Sequence, residues 1–204
     1  MERDLKVASK SHEAEIEMWA TVFGLSNKTV DLAKQLLQRI ISRKVYSISK
    51  PLLALYAASI MSREYIPLTY FITELSRDQV RVRPKLVRHD LKKHFGIELP
   101  PEKLVEIETR GFCRVLKLDT VLCEAAVCTA VNTLNDGVTF IFYRKYVKLA
   151  VVAIRFVARY MHKRVKLPSY LYKLLPGTAP IRKTVVKYVG VCVDKTRTVA
   201  RQLQ

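Results

Sequence analysis

The sequence predicts an all-α protein of two tandem helical domains, and three observations carry that prediction. One pattern occurs twice: a long helix, an apolar helix, a proline-started helix and a short basic helix. The copies lie roughly 95 to 100 residues apart, a period that suits two small domains rather than a solenoid. Half of the 204 residues are hydrophobic, enough for each half to bury its own core. The apolar residues recur at helical rather than alternating spacing.

In the first half Ser11 is read as an N-cap for a helix whose Ile16, Trp19, Ala20 and Phe23 fall at i, i+3, i+4 and i+7. Gly24 ends it. Ser26 caps a second helix with Val30, Ala33, Leu37, Ile40 and Ile41 on one face. Ser49 and Pro51 open a third over 52–61, which is apolar nearly all round and so is expected at the centre of the domain. Pro67 starts a fourth helix carrying Leu68, Phe71, Ile72 and Leu75. After an irregular stretch at 79–84, Pro84 opens a last helix over 85–95 with Leu86, Leu91 and Phe95 inward and Arg88, Lys92 and Lys93 outward. Gly96 ends it, and Pro100 and Pro101 mark the boundary. The domains are accordingly 1–100 and 115–204, with 101–114 as linker.

The second half repeats this order. Asp119 caps a helix through Leu122, Ala125, Ala126 and Thr133, closed by Asn135, Asp136 and Gly137. Residues 138–142 alternate like a strand, but their place in the repeat argues against one. The apolar helix is centred on 149–158 and the proline-started helix on Pro168. Residues 167–193 then read as helix, turn, helix: 168–175, a turn at Pro176, Gly177 and Thr178, and 179–189. On the last helix Ile181, Val185 and Val189 share one face, while Arg182, Lys183, Thr184 and Lys187 share the other.

Charge narrows the partner. Lys and Arg number 36 against 18 Asp and Glu, a net charge of +18. The surplus is six in residues 1–101 and twelve in 102–204, and no acid occurs between Asp136 and Asp194 while twelve bases do. An ordinary solvated surface mixes signs, so this balance favours a polyanion, nucleic acid before acidic membrane. A helix with an apolar back and a basic, hydroxyl-bearing front meets the needs of a major-groove reader; the plainer alternative is a solvated amphipathic helix. Arg144, Lys148, Arg155 and Arg159 recur at spacings of four and seven, one stripe able to track phosphates. Here the plainer alternative is side chains snorkelling from a buried helix. Arg81, Arg83, Lys85 and Arg88 add DNA-binding candidates in the first half.

Other classes find little support. His12, His89, His94 and His162 are scattered, with His89 and His94 read as surface residues, and no P-loop, GxGxxG, GxSxG or HExxH occurs. The sequence therefore predicts no enzyme, no cofactor, no metal and no small-molecule substrate. Cys113, Cys123, Cys128 and Cys192 form no CxxC and are read as small core residues, with a disulfide involving Cys113 or Cys192 left open. No secretory signal is visible, and the stretch 147–161 is too short and too charged to span a bilayer.

Several segments together resemble the core of archaeal transcription factor B, the relative of eukaryotic TFIIB. Glu2-Arg3-Asp4-Leu5, Phe23-Gly24-Leu25-Ser26, Tyr56-Ala57-Ala58 and the run from Leu91 through His94 and Gly96 to Pro100 are similar to its first cyclin-like repeat. Leu118-Asp119, 149–158 and 168–189 are similar to its second. The resemblance covers nearly the whole chain through the order of loose motifs. It implies two five-helix cyclin-like domains that clamp a complex of TATA-binding protein and DNA, with the helix-turn-helix of the second repeat in the major groove. Carried over by position, Arg182, Lys183, Thr184 and Lys187 would face the DNA. The family's recognition helix usually ends in a polar, charged turn, whereas this sequence has Tyr188-Val189-Gly190-Val191, so base specificity is expected to differ. The family's zinc ribbon and reader loop have no counterpart here, so polymerase recruitment in the usual way is not expected. A divergent paralogue and a viral regulator fit equally.

The sequence thus predicts a cytoplasmic, nucleoid-associated transcription factor binding double-stranded DNA, with TATA-binding protein and RNA polymerase as candidate protein partners. The alternative is a cyclin-fold interaction module that holds polymerase or another factor and binds DNA only non-specifically.

Overall fold

The structure, a computed structural model, describes residues 2–78, 80, 82, 84–136, 143–172 and 179–202. Among these every regular element is a helix. The chain divides into two compact units, Met1–Leu99 and Pro100–Gln204.

The first unit holds α1 (Glu2–Phe23), α2 (Asn27–Ile40), α3 (Lys50–Met61), α4 (Leu68–Arg77) and α5 (Pro84–Phe95). Ser26 caps α2 as expected, its hydroxyl accepting from the Thr29 N–H at 3.4 Å. Ten consecutive residues of α3, from Pro51 to Ile60, are buried, which an all-round apolar helix requires. α3 packs against α1, α2 and α5. Trp19, Phe23, Tyr56 and Phe71 interlock with centroid separations of 4.9–5.6 Å, contacts each worth about 0.5–1.5 kcal/mol beyond burial.

Three expectations are corrected in this unit. Ser11 lies inside α1 rather than at its cap, because the helix begins at Glu2. Ser49 stands at the N-cap of α3 as expected, and its hydroxyl donates to Glu15 Oε1 at 2.8 Å, which ties α3 to α1. In α5 the inward face is Val87, Asp90 and Leu91, while Leu86 and Phe95 are half-buried. The Asp90 carboxylate is buried because it accepts the backbone N–H groups of Tyr46 and Ser47, each at 3.0 Å, and so pins the loop before α3. The His94 side chain is also buried, 4.0 Å from Asp90, and not at the surface. Burial holds its imidazole below the ordinary value, outweighing the pull of Asp90.

The second unit holds α6 (Pro101–Val115), α7 (Thr120–Asn135), α8 (Tyr143–Tyr160), α9 (Ser169–Tyr172) and α10 (Ala179–Gln202). The expected linker at 101–114 is α6 itself. Pro101 sits in its first turn, where the missing N–H costs nothing, and Leu104, Val105, Ile107 and Phe112 are buried. α6 packs on α7 and α8, and Arg110 joins it to α7 with paired hydrogen bonds to Glu124. Asp119 caps α7 through the Leu122 N–H at 3.0 Å. Cys128 on α7 and Cys192 on α10 form a disulfide, so these two are cross-linked rather than merely packed. α10 runs 24 residues, well beyond the expected end at Val189.

Two pairs of helix ends in the two units share a left-handed residue. Gly24 after α1 and Lys117 after α6 take left-handed φ of 60° and 52°; Arg63 after α3 and His162 after α8 take 59° and 55°. At three of these ends the next N–H reaches back five residues, Leu25 to Ala20, Leu118 to Cys113 and Lys163 to Ala158, at 2.8–2.9 Å. The expected irregular segment 138–142, the turn at 176–178 and residues 79, 81 and 83 lie outside the described residues.

Candidate nucleic-acid interface

The second unit brings its cations together between α8 and α10. α8 buries Val151, Val152, Ile154, Val157 and Ala158 and leaves Arg155 and Arg159 exposed, one helical turn apart. α10 buries Ile181, Val185 and Val189 on a matching stripe, so its first turn stands beside α8 with Arg182 and Lys183 outward. Arg155, Arg159 and Arg182 then line one cleft of about 230 Å³ with Val152 and Phe156.

Two further depressions adjoin it, sharing Arg159. One, of about 700 Å³, is lined by the apolar Phe156, Val186 and Val189 together with His162 and Arg197. The other, of about 290 Å³, adds Lys163 and Arg164 from the chain after α8. None of the described residues lining the three is acidic. Several like charges around a partly desolvated cleft raise the local positive potential and favour an anion there.

The expected site residues are placed unequally. Arg182, Lys183 and Lys187 are exposed on α10, Thr184 is half-buried there, and Lys148 is half-buried on α8. Lys187 donates to Asp136 Oδ2 at 3.0 Å. That hydrogen bond raises the Lys187 ammonium above its ordinary value and lowers the Asp136 carboxyl. Lys85 and Arg88 are exposed on α5 in the first unit, and Arg88 donates to the Leu99 carbonyl at 3.0 Å. Arg81, Arg83 and the Arg144 side chain lie outside the described residues.

Sequence reasoning missed His162, Lys163, Arg164, Arg197, Phe156 and Gly190. Arg197 has no place in the sequence reading, which ends the last helix at Val189. In fact Gly190 continues it, facing the Tyr160 ring; a Cβ there would lie 3.4 Å from the phenol oxygen, ordinary contact. The missed signal was periodic: Cys192 and Val193 extend the buried stripe of Val185 and Val189. Lys163 is held by Asp119 at 2.6 Å, which anchors the segment after α8 to the cap of α7.

Among the described residues no group of three His, Cys, Asp or Glu side chains is placed to hold a metal ion, and no helix is long and apolar enough to cross a membrane. Comparison with protein-family models, curated proteins and solved structures finds no match for this chain.

Proposed function

We propose that this protein is a DNA-binding transcription factor whose second unit holds a duplex along the cleft between α8 and α10. The observation that carries the proposal is the meeting of Arg155 and Arg159 with Arg182 in one cleft. Arg155 and Arg159 serve phosphates, and Arg182 and Lys183, in the first turn of α10, reach base edges, the part of a recognition helix that usually does so. The resemblance to the transcription factor B core extends the proposal to cyclin-like organisation of both units and to TATA-binding protein and polymerase as partners. The matching helix ends of the two units support a duplicated architecture. No catalytic role is proposed.

Alanine at Arg182 or Lys183 should cost about 1–3 kcal/mol on a selected site and less on random duplex. Equal losses on both would leave only non-specific attraction.

The second reading, a protein-interaction module, is favoured by one feature. Val186, Val191 and Val199 are 48–66% exposed on α10, and Tyr160 is 48% exposed beside it. Pull-down with TATA-binding protein and polymerase, with and without promoter DNA, separates the two readings. Capture of either protein without DNA, combined with no preference among duplexes, would favour this second one.

A further inference from the structure

The depression of about 700 Å³ between α8 and α10 joins two chemistries that a duplex does not need together. Phe156, Val186 and Val189 supply apolar surface, and Arg159 and Arg197 supply fixed positive charge, with the His162 imidazole beside them. None of its described lining residues is acidic. Val186 is 59% exposed and Tyr160, also in the lining, is 48% exposed, so apolar surface faces water there. Phosphates would satisfy the arginines and leave the valines and rings wet, whereas a peptide with apolar and acidic side chains satisfies both. We propose that this depression docks an acidic amphipathic helical segment of a partner protein. Its apolar side chains enter over Phe156 and Val189 while its carboxylates meet Arg159 and Arg197.

The shape of the site fits a helix. On α10 Val186, Gly190 and Arg197 fall at i, i+4 and i+11, a stripe about 16 Å long, which equals about three turns of a docked helix. Gly190 is an independent sign of a site. It stands in the interior of α10, where glycine weakens a helix relative to alanine. Neither backbone nor packing asks for it. Its φ is not left-handed, and a Cβ there would meet only the Tyr160 ring, nearest at 3.4 Å. What the missing side chain does provide is open space in the depression that Gly190 lines. The proposal rests on the protein-interaction reading for the kind of partner and is independent of the DNA reading.

The test uses the full chain without DNA. The probe is a fluorescein-labelled helical peptide of about twelve residues, with leucine at every third or fourth position and glutamate between. One control peptide replaces its leucines by serine, and another replaces its glutamates by lysine. Anisotropy should show saturable binding of the leucine–glutamate peptide and binding at least about tenfold weaker for both controls. Arg197→Glu removes a charge outside the cleft assigned to the duplex, and Gly190→Leu fills the depression while favouring the helix. Each should weaken the leucine–glutamate peptide about tenfold with the circular dichroism spectrum unchanged. No saturable binding of that peptide, equal binding of the serine control, or affinity that survives both substitutions would overturn the proposal. The peptide comparison on the wild-type chain decides even if a variant fails to fold. Failure of TATA-binding protein and polymerase to be captured would remove those two partners and leave this result standing.

Discussion

Lys187, on the outward face of α10, is held by Asp136 at the end of α7, with Nζ 3.0 Å from Oδ2. The carboxylate sits where a phosphate would otherwise meet that ammonium. Any duplex laid on this face must displace Asp136 or approach with Lys187 already neutralised. Asp136→Asn is therefore expected to raise duplex affinity several-fold at low salt and to steepen the salt slope by about one, because one more cation is free to release a counterion. Fluorescence anisotropy over a salt series measures both. Weaker binding by the variant would mean that the ion pair positions α10 rather than restraining it.

Acid should weaken the second unit. Burial alone would push the Glu106 carboxyl up, but hydrogen bonds from Lys103 and Arg110 outweigh it and hold the group below its ordinary value. Asp119 is likewise pushed up by burial and held down by Lys163 and the Leu122 N–H. For carboxyls depressed by folding, the stabilisation is fully present above the unfolded values, roughly 4.3 for Glu and 3.9 for Asp, and is lost as pH falls through the folded values. Urea midpoints should fall below about pH 4, and Glu106→Gln should be the weaker protein at neutral pH yet converge with wild type in acid. A constant gap between the two at all pH values would remove Glu106 from this account.

Lys117 carries a strained backbone without need. Its φ of 52° matches the 60° of Gly24 at the equivalent helix end, and its side chain is exposed. Lys117→Gly removes the left-handed penalty and adds some unfolded-chain entropy, so the net gain should be about 0.5–1 kcal/mol. Thermal unfolding reads this directly. A lower midpoint would show that the lysine does something at this turn beyond filling it.

Reducing the Cys128–Cys192 bond frees a loop with a sequence separation of 64. The chain-entropy view puts the lost stability near 4 kcal/mol, and measured cases typically fall at about 2–4. Denaturant unfolding of the Cys128→Ala, Cys192→Ala double variant should show a loss of that size. An unchanged midpoint would mean that α7 and α10 hold together by packing alone.

The fold was legible where local chemistry decides it. α3 announces itself by ten buried apolar or small residues in a row, and Ser26 and Asp119 act as caps because a hydroxyl or carboxylate there meets an unpaired N–H. The start of α1 was hidden, since 2–10 carry charges without a clear apolar stripe. α6 reads as a linker in the sequence because Pro100 and Pro101 signal a break, although a proline in the first turn equally opens a helix. The burial of His94 and the Cys128–Cys192 bond depend on partners dozens of residues away or on a loop that Asp90 folds back. Of the candidate site, the individual cations of α8 and α10 were visible as stripes. Their convergence was not, because it depends on how α10 lies against α8.

The proposed function requires duplex DNA to bind in the cleft of Arg155, Arg159 and Arg182. The most direct measurement compares the wild-type chain with the Arg155→Ala, Arg159→Ala, Arg182→Ala variant on one duplex by anisotropy, from about 50 to 200 mM salt, with circular dichroism verifying the fold. The wild type should bind with log K falling linearly against log salt, and the triple variant should lose at least about tenfold in affinity and show a slope shallower by about two to three. A folded triple variant that binds with unchanged affinity and slope, or a wild-type chain that fails to bind even at the lowest salt, would contradict the account.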